Sequence, residues 1–225
     1  MSQPSQIPPL PSPTPRFDQP GPPEWRTVPA HVIEQMVDLV APVFQPTVPR
    51  PGPALRVQMR PLSFLPEGMR LFAFMQTDTI PPVTRFALIR RSLVIPLDGT
   101  RTAFEELDRR ELLNLNAETV PEYVACVLDF LWAPAGRFRI VQSILDIPAA
   151  LALSADEQAE IAANLAPVSP AQGTEEDGWQ MMAIVQNEDA LFGVRILVTP
   201  DGAIALTDEK YLMSDVPVED ANLTF

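Results

Sequence analysis

Twenty-seven of the 225 residues are proline, and fifteen of these fall between Pro4 and Pro53. Proline fixes φ, gives up its backbone N–H and pushes the preceding residue away from helix. A segment punctuated this densely supports neither a long helix nor a central strand. Residues 1–26 also lack apolar periodicity and are rich in Ser, Gln and Gly. They cannot bury enough surface to offset the entropy of ordering, and predict a disordered or polyproline II arm. PPLPSPTPR within the arm carries P-x-x-P spacings of the kind Pro-recognising domains bind, but any proline-rich tract produces them. A plain flexible arm is the expectation. The gap between Pro29 and Pro42 is the exception. In VPAHVIEQMVDLVAPVF, residues Ile33, Met36, Val37, Val40 and Phe44 fall at helical spacing. Thr27 is placed to cap that helix, Pro29 suits its first turn and Pro42 limits its end. QPTVPRPGP follows as a second linker. The expected organisation is an arm over 1–26, an amphipathic helix and Pro-rich linker over 27–53, and a single α+β domain over 54–225.

The body alternates strand and helix signals. LRVQMR sets Leu55, Val57 and Met59 against Arg56, Gln58 and Arg60, a strand with one wet face. RLFAFMQ is apolar on both faces and suits a central strand. TRFALIRRSLVIPLDG reads as two strands meeting near Arg90–Ser92, with Pro96 marking an edge or a strand end and Asp98-Gly99 a turn. Thr102 and Glu105 have capping-box spacing ahead of AFEELDRREL, as do Ser154 and Glu157 ahead of ADEQAEIAANL. NAETVPEYVACVLDFLW repeats Val120, Tyr123, Val124, Val127, Leu128 and Leu131 at the helical period. GRFRIVQSIL, WQMMAIVQ, LFGVRILVT and AIALTDEKYL read as strands, the last two joined through T-P-D-G with Gly202 left-handed. Strands joined by such short turns are antiparallel. The fold class is therefore α+β, mainly antiparallel sheet with helices packed on one side.

Apolar residues make up 46% of the chain, so a core forms without metal or disulfide. The one cysteine, Cys126, has no disulfide partner, and the first fifteen residues lack a basic segment followed by an apolar one. Both point to the cytoplasm. No apolar run approaches the roughly 18 residues of a membrane helix. The net charge is −13, and it is segregated. Residues 1–139 hold 14 arginines and 14 acids; residues 140–225 hold Arg195 and Lys210 against 15 acids. A field of that sign repels phosphate backbones and anionic lipid, so neither a nucleic-acid nor a membrane partner is expected.

LNLNAETVPEYVACVLDFLW with GRFRIV, and ALFGVRILVTPDG, resemble an uncharacterised family of bacterial proteins in which an aromatic-containing helix, a glycine, an apolar strand and a C-terminal hairpin follow in order. The resemblance covers roughly residues 83–210. Where the family pattern pairs phenylalanines, this chain has Asp129-Phe130. The shared motifs are not catalytic, and the resemblance implies no activity.

The side chains that usually carry chemistry are sparse. His31 is the only histidine and falls in the first turn of the N-terminal helix, so no Ser-His-Asp, Cys-His or His-based metal site is expected. Cys126 falls among Val124, Val127 and Phe130, as a buried thiol would. No glycine-rich phosphate loop is present. GTEEDG fails the calcium-loop pattern at positions 1 and 12 and reads as a solvated loop. No catalytic residue, metal or cofactor is therefore assigned. The arginines of the middle stand out, facing Glu105, Glu106, Asp108 and Glu111: Arg90, Arg91, Arg137 and Arg139 are the candidate binding residues, with mutual surface ion pairs as the bland alternative. The expected function is a non-enzymatic interaction or accessory protein that binds a protein partner. A small-molecule binder or enzyme with an arginine–carboxylate site, and a self-associating structural protein using free strand edges, are the alternatives.

Overall fold

The computed structural model describes residues 25–45, 47–79, 82–133 and 136–218. The chain is α+β and divides between Asn114 and Leu115 into two compact units, each with its own antiparallel sheet. The expected arm over 1–26 lies outside the described residues except for Trp25 and Arg26, as does its P-x-x-P tract.

In the N-terminal unit the sheet runs β1 (Arg26–Thr27), β2 (Leu55–Arg60), β3 (Arg70–Gln76), β4 (Val83–Arg90), β5 (Leu93–Leu97), each antiparallel to its neighbour. RLFAFMQ is an interior strand in which every residue but Arg70 and Met75 is buried, on both faces, and β4 is buried at Thr84–Ile89. Helix α1 (Ala30–Val40) lays Val37 and Val40, with Phe44 beyond its end, on Leu55, Val57, Phe72, Phe74, Ala87 and Ile89. Phe44 meets Phe74 edge-on at 5.6 Å between centroids, a favoured aromatic geometry. The helical spacing thus named the face that packs. Its start differs from expectation. Thr27 pairs with Gln58 in β1, and Pro29 takes the N-cap position, its carbonyl accepting from the Val32 N–H. A threonine committed to a ladder is not free to cap a helix three residues on.

Helix α2 (Thr102–Arg109) also begins without the expected capping box. Arg101 is already helical and its carbonyl accepts from Phe104 and Glu105, so Thr102 lies inside the helix. Instead Asp98 accepts from the Thr100 N–H and hydroxyl, and the Thr100 hydroxyl accepts from the Thr102 N–H. That relay satisfies a donor the box would have served. On β2 the expected wet face is partly dry: Arg60 is 1% exposed, with its guanidinium 5.6 Å from the Trp25 ring centroid, within cation–π range.

The C-terminal unit contains α3 (Val120–Phe130), β6 (Trp132–Ala133), β7 (Gly136–Ile140), two 3-10 turns (Ile144–Asp146 and Pro148–Ala152), α4 (Ala155–Ala163), β8 (Gln172–Thr174), β9 (Gly178–Asn187), β10 (Ala190–Val198) and β11 (Ile204–Met213). The sheet order is β11-β10-β9-β7-β6, with β8 also on β9. On β9 and β10, Trp179, Met181, Ala183 and Val185 stand opposite Val198, Ile196, Val194 and Phe192, which sets one face. At the far end the other face carries Leu191 into a cluster with Val141, Ile147, Ala150, Ile161 and Val216. α4 opens with the expected box: Ser154 accepts from the Glu157 N–H, and Glu157 accepts from the Ser154 N–H at 2.9 Å. α3 is buried all round except at Glu122, and the Tyr123 hydroxyl donates to the Gly202 carbonyl at 2.7 Å. Among the described residues no helix is long and apolar enough to cross a membrane.

Candidate functional site

The four arginines singled out by sequence occupy different settings. Arg90 ends β4 opposite Leu93, and Arg91 and Ser92 form the two-residue turn between β4 and β5. Arg91 is exposed and holds φ 55°, the left-handed value that a type II′ hairpin assigns to glycine at this position. Arg137 and Arg139 lie on β7 and both turn to Asp129, which is 1% exposed near the C-terminal end of α3. The Arg137 Nη2 donates to Asp129 Oδ1 at 2.5 Å, and its Nε donates to the Asp129 carbonyl at 2.8 Å. Arg139 Nε stands 3.7 Å from the same carboxylate oxygen. One guanidinium therefore both neutralises a buried carboxylate and caps a last-turn helix carbonyl. Asp129 was the missed residue. An aspartate in an otherwise apolar helix is the signal, because such a group is buried only when paired. Arg109 and Arg110 pair with Glu106, as the bland reading of the surface arginines expects. His31 is exposed on α1, and Cys126 is buried in α3.

The acids of the C-terminal unit present the opposite picture. From Leu115 to the last residue there are 18 acids against Arg137, Arg139, Arg195 and Lys210, a net −14. Asp146 and Glu157 serve 3-10 and helix starts. Hydrogen bonds from Ser154, side chain first and backbone second, hold the Glu157 carboxyl below its ordinary range. The Thr199 hydroxyl does the same for Asp201, at the turn into β11. Glu175, Glu176, Asp177, Asp201, Glu209 and Asp215 are exposed, with no cationic partner among the described residues.

Several of these acids flank one strand. β11 is the end strand of its sheet and pairs only with β10. The chain enters it through a three-residue loop: Thr199 N–H to Ala203 carbonyl, Gly202 N–H to Thr199 carbonyl, both 2.9 Å, and Gly202 at φ 82°. This closure makes Thr199–Ala203 the hydrogen-bonded pair. Bonded and non-bonded pairs alternate in an antiparallel ladder, and the register runs unbroken from Val198–Ile204 to Arg195–Thr207. The backbones of Ala205 and Thr207 therefore point to β10, and those of Ile204 and Leu206 point outward. Next comes a bulge in which Asp208 and Glu209 oppose Val194 alone. Asp208 takes φ 51°, which aspartate tolerates better than most residues, and its carboxylate meets Arg195 Nε at 2.7 Å. Arg195 sits across the bulge from Asp208 and supplies its cation. No family model, curated protein or solved structure matches the chain.

Proposed function

We propose that this chain is a non-enzymatic accessory protein of the cytoplasm, and that its acidic C-terminal unit docks a basic protein partner. The observation that carries the reading is the set of exposed acids left without cations in the C-terminal unit, Asp201 and Glu209 beside the open strand β11 and Glu175, Glu176 and Asp177 in the β8–β9 turn. Uncompensated charge of one sign steers an oppositely charged partner and favours it over anionic competitors. The arginines support an interaction surface less well. Arg137 and Arg139 already hold a buried carboxylate, and Arg109 and Arg110 share Glu106. Within this reading the Asp129 cluster is structural, which counts against an arginine–carboxylate ligand site there.

The test compares two surfaces with two probes. The full chain is titrated with an octapeptide of alternating lysine and valine, and separately with one of alternating glutamate and valine. A variant with Glu175→Gln, Glu176→Gln, Asp177→Asn and Glu209→Gln is titrated alongside. The lysine peptide should bind the parent chain and lose about tenfold or more in affinity with the variant, a difference of roughly 1.4 kcal/mol. Equal binding to both proteins contradicts the reading. So does a preference for the glutamate peptide that Arg90→Gln with Arg91→Gln removes, because the arginine hairpin is then the docking surface.

A further inference from the structure

We infer that the partner is held by strand addition: an extended segment with basic residues at alternate positions pairs with the open edge of β11. The inference rests on the proposed docking role and specifies its chemistry. Two independent features of one strand carry it. The first is the backbone. Ile204 and Leu206 direct N–H and C=O groups outward, two residues apart, in a stretch of regular register. No backbone partner meets them among the described residues. That is the hydrogen-bonding pattern an added strand completes. The second is charge. Immediately beyond the regular stretch lie Asp208 and Glu209, with the acidic turn at Asp201 before it. Asp208 is engaged by Arg195, and Glu209 is exposed with no cation of its own.

The alternative occupant is a second copy, and charge opposes it. β11 runs from Ile204 to Met213, so an antiparallel copy aligned over the whole strand has its two-fold axis between Asp208 and Glu209. Each then faces the other's acid, and like charges directly opposite on neighbouring strands destabilise the pair. Shifting the axis to Ala205 avoids this contact. It leaves only Ile204 and Leu206 pairing, and it brings together two units of net −14 each. Charged residues and a bulge on an edge strand are also the devices that block edge-to-edge self-association. They do not block a basic strand, whose cations meet the same acids. The chain's own first residues do not suit the edge: prolines at 4, 8, 9, 11 and 13 remove ladder donors, and no basic residue occurs before Arg16.

The experiment uses the full chain and three probes: the lysine–valine octapeptide, its glutamate–valine counterpart, and the lysine–valine octapeptide N-methylated at every backbone amide. Methylation keeps the charge and removes the donors that a strand needs. Affinity is read by fluorescence anisotropy at fixed ionic strength, and amide exchange of β11 is followed by NMR. The lysine peptide should bind at least tenfold more tightly than either other probe, and should slow exchange at Ile204 and Leu206, whose N–H groups are otherwise open. If the methylated peptide binds as well as its parent, or Ile204 and Leu206 exchange unchanged in the complex, strand addition is overturned while the acidic docking surface stands. If neither basic peptide binds, the docking role fails as well. A mass doubled in light scattering, with Ile204 and Leu206 already protected in the free chain, assigns the edge to a second copy and overturns the inference.

Discussion

Removing the Asp129 carboxylate leaves the Arg137 guanidinium, only 14% exposed, facing an empty partner position. Breaking one side of a buried ion pair costs about 3–5 kcal/mol, since the surviving charge has lost its solvation as well as its partner. Asp129→Ala is expected to destabilise the C-terminal unit by about 3 kcal/mol in chemical denaturation. Arg139→Ala should cost well under half of that, because its Nε lies at 3.7 Å rather than within hydrogen-bond distance. A loss for Arg139→Ala equal to that for Asp129→Ala would mean that Arg139, not Arg137, carries the pairing. Arg91 is the converse case. An L side chain at left-handed φ costs about 1–2 kcal/mol, and glycine gives back about 0.5–1 in unfolded-chain entropy. Arg91→Gly should therefore raise stability by about 0.5 kcal/mol, a melting shift of roughly 1–2 °C. A loss of that size would reveal a contact made by the Arg91 side chain. Both residues show what a sequence conceals: Arg137 and Arg139 looked available on an alternating strand, and only the return of β7 beside α3 brings them onto Asp129.

At the scale of elements, local signals did well where the chain meets no competitor. The Ser154–Glu157 box forms as its spacing says, and the helix behind it follows. Thr102–Glu105 has the same spacing and fails, because Asp98 and Thr100 reach the free donor first and the helix starts one residue early. Thr27 fails for a different reason: a two-residue ladder with β2, remote in sequence, claims it. The strand alternations and the β4–β5 and β10–β11 turns were legible, since period and turn chemistry are local. Strand order was not, and with it went the fact that β11 ends its sheet. The box also yields a pH prediction. Glu157 is held below its ordinary range in the folded chain, so its hydrogen bonds favour folding at neutral pH. That contribution fades as pH falls below about 4 and through the lowered value. In a carboxyl-carbon NMR titration Glu157 should titrate below the ordinary glutamate range. Ser154→Ala should raise it part of the way back, since the backbone donor remains, and the lost N-cap should cost about 1 kcal/mol. An unchanged titration in the variant would remove the serine hydroxyl as the cause.

For the whole molecule, charge is the property that sequence and structure share most directly. The excess of acids over the last third of the chain is plain in the composition, and the structure adds that several of them face solvent without a cationic partner among the described residues, two of them beside the open strand β11. Attraction of this kind weakens as salt shortens the screening length, from about 10 Å at 0.1 M to about 3 Å at 1 M. Partner association should therefore fall steeply with ionic strength. The chain also contains its own reporter. Lys210 is the only lysine, it is exposed, and it lies on β11. Within this sequence, a short amine-to-amine crosslinker applied to intact cells attaches through a side chain at Lys210 alone. The account predicts one discrete adduct joining Lys210 to a lysine-bearing protein, reduced at high salt in lysate and lost when Glu175, Glu176, Asp177 and Glu209 are neutralised. A Lys210 that forms no adduct, or whose adduct survives that neutralisation unchanged, would contradict it.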